Sequence, residues 1–352
     1  MTEFTVKNKV KAFLQESSTV PLFLQGDALQ VLQDFPGECI DLVFTSPPYY
    51  RQRAYAACGL GLEDSAGEYL DKLTAVCAQI FRVLKPAGSF WLNLSDSYLH
   101  KGVMLLPWRL AQRLCDELGF TLRNQVIWHK VKGGPDPARD RLRNLWEPLF
   151  FFTKSARDYY FNDEAARLPP GRAQSVRHGA VVSAGGVTGV RYRRKIELST
   201  ALSNTEKKAA LAALDQALAE VEQGSIPDFR LVPRAGGRIT HGSAPQLSGR
   251  ARELEQRGFY ILKYSPKGAR LSDVWDILPE DSQGRAGAHG AVFPPDLPRR
   301  PIVLTCPPGG VVLDPFAGSG TTCLAAGELE RRSVGIDLCA QYLEQARQRC
   351  ER

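Results

Sequence analysis

Residues 312–322 read VLDPFAGSGTT, and they give the clearest indication of the fold. An acid, Asp314, stands at the predicted end of an apolar strand, and Gly318 and Gly320 then open a predicted helix. Glycines allow the backbone to approach a ligand closely, and a helix N-terminus offers free amides. Because a further strand and helix follow up to residue 349, the pattern predicts the opening unit of a doubly wound α/β nucleotide-binding sheet.

The same stretch indicates the kind of ligand. The dinucleotide fingerprint requires a third glycine, but Cys323 occupies its place, which weakens the case for a cofactor with a pyrophosphate. Asp337 ends the next predicted strand, where an acid can accept hydrogen bonds from both hydroxyls of a ribose. We therefore predict a ribose-bearing ligand without pyrophosphate, namely S-adenosylmethionine. The alternative is an ordinary α/β turn with an incidental glycine loop.

A second informative stretch, residues 41–50, reads DLVFTSPPYY and contains an apolar strand followed by a stiff turn. Pro47 and Pro48 restrict the backbone and remove two amide donors, so the carbonyls around them are expected to stay available as acceptors. With the hydroxyl of Ser46 and the ring of Tyr49, this turn suits a flat base that carries an exocyclic amine. The hydroxyl can accept an amine hydrogen while the base stacks on the tyrosine ring. A sulfonium methyl is already electrophilic, so the protein has mainly to align the reactants and exclude water. The alternative is an ordinary proline turn.

Composition excludes several classes of protein. Hydrophobic residues make up 43% and charged residues 24%, and no run of 18 apolar residues occurs, so neither a disordered nor a membrane-spanning chain is expected. The first 26 residues contain no hydrophobic signal core, so we predict a cytoplasmic protein. The eight cysteines form no Cys-x-x-Cys pair and there are only five histidines, so we predict no metal site.

Positive charge is concentrated in the middle of the chain. Between Lys130 and Arg270 there are 25 Lys and Arg against 14 Asp and Glu, a net charge of +11, whereas the rest of the chain carries −4. From about residue 154 the α/β periodicity breaks down, and one helix is predicted at 205–222. This region is either a solvated basic surface or a segment that faces a polyanion.

The two motifs resemble those of a known family. TSPPY at residues 45–49 and DPFAGSG at residues 314–320 are similar to the catalytic and cofactor motifs of amino-group DNA methyltransferases, in the permuted order called the beta class. There the catalytic motif comes first, a target-recognition region follows and the cofactor loop comes last. The resemblance implies a Rossmann-like S-adenosylmethionine-dependent methyltransferase sheet with a catalytic half (1–153), an inserted target-recognition region (154–272) and a cofactor-binding half (273–352).

Matching positions imply roles for single residues. Asp27 matches the acidic motif near the cofactor adenine, with a turn residue as the alternative, and Phe316 matches the aromatic that packs beside the cofactor. The implied cofactor-binding residues are Asp27, Asp314, Phe316, Gly318, Ser319, Gly320, Thr321 and Asp337, and the implied catalytic residues are Ser46, Pro47, Pro48 and Tyr49. Residues 289–304 resemble the segment that covers the methionine end of the cofactor, although His289 can equally be a solvated loop residue.

Two further strand ends resemble the lining of a target-base pocket. They contribute Asn93, Ser95 and Asp96 at one end and Trp128, His129 and Lys130 at the other, and the alternative for these residues is that they cap neighbouring elements or close the core.

Double-stranded DNA is the partner that the resemblance implies. Two groups of cations are candidates for DNA binding, and solvated surface cations are the alternative for both. They are Arg139, Arg141 and Arg143, and Arg191, Arg193, Arg194 and Lys195.

The target atom can be narrowed from the sequence. Methylation of cytosine carbon-5 commonly uses a Pro-Cys nucleophile, which this chain lacks; Cys306-Pro307 is the reverse order. Family members with Ser at the position of Ser46 are predominantly cytosine-N4 enzymes, whereas Asp is typical of adenine-N6 enzymes. We therefore predict a cytosine-N4 DNA methyltransferase of a restriction–modification system, with any endonuclease on a separate chain. The alternatives are an adenine-N6 enzyme, a methyltransferase acting on RNA or on a protein glutamine, and a DNA-binding protein that retains this fold without turnover.

Overall fold

The computed structural model of the protein describes residues 5–52, 59–133, 138–167, 174–177, 180–183, 189–234, 249–280 and 292–351. The chain divides into two compact units: Met1–Ala166 with Ser272–Arg352 form the first, and Arg167–Leu271 form the second. Within the described ranges, no helix is both long enough and apolar enough to cross a membrane.

Helices and strands alternate along most of the described chain. The helices are α1 (Val6–Gln15), α2 (Ala28–Gln33), α3 (Ala66–Val83), α4 (Leu106–Asp116), α5 (Val190–Glu197), α6 (Asn204–Glu222), α7 (Arg250–Arg257), α8 (Asp296–Thr305), α9 (Thr321–Glu328) and α10 (Ala340–Cys350). The strands are β1 (Leu22–Gln25), β2 (Ile40–Thr45), β3 (Leu84–Asn93), β4 (Tyr98–Leu99), β5 (Gly102–Val103), β6 (Thr121–His129), β7 (Trp146–Thr153), β8 (Gln174–Arg177), β9 (Ala180–Ser183), β10 (Phe229–Pro233), β11 (Phe259–Lys263), β12 (Val274–Asp276), β13 (Val311–Asp314) and β14 (Arg332–Asp337).

An eight-stranded sheet forms the framework of the first unit, with the strand order β1-β14-β13-β2-β3-β7-β6-β12. The first five strands in this order are parallel. Strand β7 runs antiparallel to both of its neighbours, and β12 pairs in parallel with β6. This mostly parallel sheet, which is flanked by helices, confirms the predicted α/β fold.

The connections between strands reverse direction at the pair β13–β2. From β2 the chain passes through α3 to β3 on one side, whereas from β13 it passes through α9 to β14 on the other. In open α/β sheets, ligands bind at the carboxyl ends of the strands where the connections reverse in this way. The two sequence motifs follow β2 and β13, and they therefore leave the sheet side by side.

Burial on both faces explains why these central strands are nearly continuous apolar runs. All six residues of β2 and all four of β13 are buried. Helix α3 covers one face through Tyr69, Leu70, Leu73 and Ile80, which recur at helical spacing. It begins where the Ser65 side chain accepts a hydrogen bond from the Glu68 amide.

The second unit has its own apolar core. Helix α6 begins at a capping box formed by Ser203 and Glu206, close to the predicted start of the helix over 205–222. Its Leu214 packs in a cluster with Phe229 of β10 and Phe259 of β11, which form an antiparallel pair. The apolar side of this helix thus serves for packing within the unit.

The prediction of a single helix between residues 154 and 272 was wrong. Helices α5 and α7 and the pair β10–β11 also lie in this region. In α5 only Tyr192 and Ile196 pack inward, and in the sequence most of their neighbours are Arg or Lys. The apolar periodicity of this helix therefore rests on two residues, which is too few to predict it.

The boundary between the units also differs from the sequence-based division at residue 154. Residues 154–162 belong to the first unit because their backbone is bonded to it: the Tyr160 amide donates to the Ala87 carbonyl at 3.1 Å, and the Asn162 amide donates to the Leu304 carbonyl at 2.7 Å.

Candidate active site

Polar side chains from five neighbouring strands meet at the carboxyl edge of the parallel sheet. Asp27 follows β1, Asp337 ends β14, Asp314 ends β13, Ser46 follows β2 and Asn93 ends β3. Parallel strands place their carboxyl ends at one edge, which is why residues so distant in sequence come together. Because β7 is antiparallel, its first residues also lie at this edge, together with the end of β6.

A cavity of about 1480 Å³ opens at this edge. Both sequence motifs contribute to its wall, so the predicted catalytic and cofactor segments share one space. Its described lining includes Asp27, Ser46, Pro47, Pro48, Tyr49, Asn93, Trp128, Lys130, Glu147, Phe316 and Asp337.

Asp314 lies behind the wall of this cavity and joins the two motifs. Its carboxylate accepts hydrogen bonds from the hydroxyls of Thr45 and Thr322, each at 2.6 Å, and from the Phe316 amide at 3.1 Å. The residue is only 1% exposed, and burial raises the pKa of its carboxyl to about 6. Asp314 therefore holds the end of β2 against the start of the glycine loop, without itself lining the cavity.

Asp337 lines the cavity and organises the loop beside it. Its Oδ2 accepts a hydrogen bond from the Gly318 amide and its Oδ1 from the Cys339 amide, both at 2.8 Å. Phe316 and Leu338 line the cavity next to this carboxylate. The carboxylate has lone pairs left to accept from ribose hydroxyls, and the apolar side chains beside it can contact an adenine ring. This combination fits an adenosine group.

The glycine loop turns toward the protein rather than into the cavity. Gly320 has a φ of +76°, and a Cβ on it would lie 2.7 Å from the Cβ of Ala346 on α10, so this glycine allows close packing of helices. Arg349 donates to the hydroxyls of Ser319 and Thr321 at 2.8 and 3.1 Å. Neither these residues nor Gly318 and Gly320 line the cavity. Because the Gly318 amide is bonded to Asp337, the loop suits a ligand without pyrophosphate.

Asp27 is placed near Asp337 by the pairing of β1 with β14. The amide of Gly26 donates to the Asp337 carbonyl at 3.0 Å, which brings the turn after β1 to the cavity. The Asp27 side chain caps α2 by accepting from the Gln30 amide at 3.1 Å, and it lines the cavity as well.

The catalytic segment is held in a network of side chains. The Ser46 hydroxyl lies 3.1 Å from the Tyr49 hydroxyl and 3.3 Å from Asn93 Oδ1, and Tyr49 lies 3.1 Å from the same oxygen. The Pro48 carbonyl accepts from the Tyr69 hydroxyl of α3 at 2.9 Å. This carbonyl thus turns to the protein, against the expectation that it faces outward, because a buried hydroxyl on α3 requires an acceptor.

Glu147, at the start of β7, completes this network. Its Oε2 accepts from the Tyr49 hydroxyl at 2.9 Å, and its Oε1 accepts from Lys130 Nζ at 2.5 Å. The Lys130 ammonium also lies 5.0 Å from the centre of the Trp128 ring, whose indole nitrogen donates to the Ile277 carbonyl at 2.8 Å. The end of β6 and the start of β7 thereby supply one aromatic ring, one cation and one carboxylate to the cavity.

Comparison with known proteins identifies the family. A family model for N6 and N4 methyltransferases, described as DNA methylase, matches residues 40–348. The chain belongs to this DNA methylase family. The prediction of an amino-group DNA methyltransferase is thereby confirmed, and S-adenosylmethionine is the methyl donor that this family uses.

Individual relatives agree with this assignment. Type II methyltransferase M.SfiI of Streptomyces fimbriatus is 32% identical over 378 residues, which cover 90% of this chain and 88% of the relative. The PvuII DNA methyltransferase (cytosine-N4-specific) has a similar fold, with a TM-score of 0.56 and 19% identity over 93% of this chain and 85% of that one. TTHA0409, a putative DNA modification methylase from Thermus thermophilus complexed with S-adenosyl-L-methionine, gives a TM-score of 0.52 and 22% identity over 94% and 93% of the two chains.

The predicted DNA-binding cations of the methyltransferase fall into two groups. Arg139, Arg141 and Arg143 are exposed in the connection between β6 and β7, which leaves the sheet at the edge that carries the cavity. The Arg141 guanidinium stacks 4.3 Å from the centre of the Tyr98 ring.

The other group of cations lies on α5 in the second unit. Arg191, Arg194 and Lys195 are exposed there, whereas Arg193 forms an ion pair with Asp215 of α6.

Other predicted residues of the methyltransferase lie at the edge of this site or beyond it. Asp96 caps locally, since its Oδ1 accepts from the amides of Ser97 and Leu106 at 2.8 and 3.2 Å. His129 Nδ1 lies 2.7 Å from a carboxylate oxygen of Asp276 on β12. His289 lies outside the described residues, but Phe293 of the same segment lines the cavity.

Sequence reasoning missed Glu147 as a site residue. It follows the Arg139–Arg143 group in sequence and precedes Pro148, so it resembles a solvated loop acid. A usable signal was present, because this charged residue directly precedes the apolar run PLFFFT, which a buried strand explains best.

Proposed function

We propose that this methyltransferase transfers the methyl group of S-adenosylmethionine to the exocyclic N4 amine of cytosine in duplex DNA, as the modification enzyme of a restriction–modification system with a separate endonuclease. The main support for this proposal is that the Ser46–Tyr49 segment lines the same cavity as Asp337 and Phe316. The serine at position 46 supports cytosine as the target, and the similarity to a type II methyltransferase supports the restriction–modification setting.

The cofactor end of the cavity is assigned to the Asp337 side. Asp337 accepts the ribose hydroxyls, Phe316 packs beside the cofactor and Asp27 lies on the adenine side. S-adenosylmethionine supplies an electrophilic methyl group on a sulfonium. Asp314 contributes indirectly because its bond to Thr45 at 2.6 Å keeps the catalytic segment next to the Phe316 turn.

The base end is assigned to the catalytic segment. The target cytosine turns out of the duplex, and Tyr49 stacks on it while the oxygens of Ser46 and Asn93 accept the amine hydrogens. These acceptors draw the nitrogen lone pair out of conjugation, and binding in the cavity aligns it with the methyl group and displaces water. No covalent nucleophile is needed, and Cys306 is unsuited to be one because its burial raises the pKa of the thiol to about 12.

DNA binding is assigned to the exposed cations. Arg139, Arg141 and Arg143 stand at the edge of the sheet that carries the cavity, and α5 presents three exposed cations in the second unit. Cations of this kind neutralise phosphates and release counterions. We assign sequence recognition to the region 154–272, which contains the second unit.

The assignment is tested by mass spectrometry of nucleosides. DNA amplified in vitro, and hence unmodified, is incubated with the purified protein and S-adenosylmethionine, and we expect N4-methylcytosine. Tyr49→Ala serves as the control for contaminating activities and should yield no product. N6-methyladenine in its place would contradict the choice of base. Absence of any methylated nucleoside, together with absence of S-adenosylmethionine binding in a calorimetric titration, would favour a DNA-binding protein without turnover.

A further inference from the structure

Glu147 is a buried carboxylate placed directly on the catalytic segment. It is 6% exposed, lines the cavity and bonds to the Tyr49 hydroxyl at 2.9 Å. The register of β6 and β7, in which Trp128 faces Glu147, sets this position from two strands distant from the catalytic motif. A buried acid is costly unless it is paired, and Lys130 at 2.5 Å provides the pairing.

The reaction releases one proton that needs an acceptor. The amine nitrogen forms a bond to the methyl group as the methyl–sulfur bond breaks and its electron pair stays on the sulfur, which leaves S-adenosylhomocysteine. The nitrogen still carries two hydrogens at this point, so the methylated base is a cation. Its N–H bond must break, and the electron pair returns to the nitrogen. Ser46 and Asn93 accept hydrogen bonds, but an alcohol and an amide are too weakly basic to hold the proton. A carboxylate is basic enough, because a protonated amine conjugated with the base is a much stronger acid than a carboxylic acid.

We propose that Glu147 receives this proton through the hydroxyl of Tyr49. The amine N–H bond breaks as a bond forms from that hydrogen to the Ser46 oxygen, the original Ser46 hydroxyl hydrogen passes to the Tyr49 oxygen 3.1 Å away, and the original Tyr49 hydroxyl hydrogen moves to Glu147 Oε2. Ser46 keeps a hydroxyl group throughout. Tyr49 ends unchanged, Glu147 ends as a neutral acid and the methylated amine ends neutral. This inference rests on the proposed function, since it requires an exocyclic amine at Ser46 and Tyr49.

Lys130 has a positioning role in this scheme. Its ammonium holds Oε1 and thereby leaves Oε2 turned toward Tyr49. The nearby positive charge also compensates the burial of this carboxylate in the wall of the cavity.

The test compares Glu147→Gln with the wild type in single turnovers. Enzyme in excess acts on amplified DNA, with S-adenosylmethionine labelled in the methyl group. We expect the rate constant to fall about 10²- to 10⁴-fold, as is typical when a proton acceptor is removed, with the S-adenosylmethionine dissociation constant from calorimetry unchanged within about threefold. Glu147→Asp, which keeps the carboxylate, should recover part of the rate.

A pair of variants separates proton acceptance from mere support of Tyr49. Tyr49→Phe keeps the stacking ring and loses the hydroxyl, so it should lose about as much rate as Glu147→Gln. The double variant should lose little more than the slower single variant, because both changes interrupt one path. A rate for Tyr49→Phe near that of the wild type, or fully additive losses in the double variant, would overturn the proposal.

Matched variants control for folding. Glu38→Gln removes the carboxylate of another Lys–Glu pair, with Lys154 at 3.3 Å, and should keep the wild-type rate. If Glu147→Gln alone melts at a lower temperature because Lys130 is left unpaired, Glu147→Gln with Lys130→Met removes both charges. That double variant should remain slow, and a return to the wild-type rate would contradict proton acceptance by Glu147.

Failure of this inference is distinguishable from failure of the proposed function. Label transfer counts methyl groups on any amine, whereas nucleoside mass spectrometry identifies the base. N4-methylcytosine formed by Glu147→Gln at the wild-type rate would remove the role of Glu147 and leave the proposed function intact. If the product is N6-methyladenine and Glu147→Gln shows the expected fall in rate, the choice of base is wrong and the role of Glu147 stands.

Discussion

Asp337 is a carboxylate that the backbone holds on both of its oxygens. Each of its oxygens accepts one amide, from Gly318 and from Cys339, which fixes the carboxylate against the wall of the cavity. An ionised carboxylate has about four acceptor positions, so lone pairs remain for the two ribose hydroxyls that the proposed function assigns to it. The side chain is therefore rigid before the cofactor arrives, and little ordering is required on binding.

Replacement of Asp337 by Asn should weaken S-adenosylmethionine binding about 10- to 100-fold. A hydrogen bond to a charged group contributes about 1.5–3 kcal/mol, and Asn offers one acceptor oxygen where Asp has two. Isothermal calorimetry measures the change in dissociation constant. The exposed Asp116→Asn is the matched control and should bind as the wild type does, whereas an unaltered constant in Asp337→Asn would argue against the ribose assignment.

At the scale of elements, Asp314 joins two strands of the sheet, β2 and β13, to helix α9. Asp314 is the last residue of β13. Its carboxylate accepts one hydrogen bond from the hydroxyl of Thr45 at the end of β2 and one from the hydroxyl of Thr322 in the first turn of α9. Burial outweighs these hydrogen bonds, since the pKa of Asp314 is raised to about 6. The ionised form is thus less favourable in the folded protein than in the unfolded chain.

The free energy of unfolding should depend on pH because of Asp314. A rise in the pKa of Asp314 from 3.8 to about 6 means that its contribution is fully present below pH 3.8 and is lost as pH rises through 6. Compared with Asp314→Asn, the wild type should lose about 2–3 kcal/mol between pH 4 and pH 7. Urea unfolding of both proteins across this range gives the difference, and a difference that does not vary with pH would refute the expectation.

For the molecule as a whole, the exposed cations and the carboxylates of the cavity lie on different residues. The net charge of +11 between Lys130 and Arg270 stands against −4 elsewhere, and the described part of the second unit bears exposed cations on α5. The wall of the cavity, by contrast, is rich in carboxylates such as Asp27, Glu147 and Asp337. We therefore expect attraction to phosphates and binding of the small cofactor to depend on different residues.

Combined replacement of Arg191, Arg194 and Lys195 by Ala should weaken DNA binding and reduce its salt dependence. Each phosphate contact contributes about 0.9 to the slope of log K against log salt, so the slope should fall by about 2 to 3. Fluorescence anisotropy with a labelled duplex at several salt concentrations measures it. The triple change of Lys7, Lys9 and Lys11 to Ala on α1 removes equal charge, and an equal effect of both triples would indicate unspecific electrostatics.

Much of the architecture was predictable because local chemistry encodes it. The apolar runs of β2 and β13, the stiff turn at Pro47 and Pro48 and the capping box at Ser203 are properties of short segments. Helix α5 was missed since only Tyr192 and Ile196 mark its inward face, and the core of the second unit against which they pack cannot be read from neighbouring residues.

By itself, the sequence determined the α/β class, the two motifs and the family, because turn chemistry and strand–loop–helix patterns are local and leave their mark within about ten residues. Only the tertiary structure decided that Asp314 lies behind the cavity, that the glycine loop packs against α10 and that Glu147 meets Tyr49 and Lys130. These contacts depend on strand order and register, which join residues far apart in the chain, and no short stretch of sequence specifies which strands become neighbours.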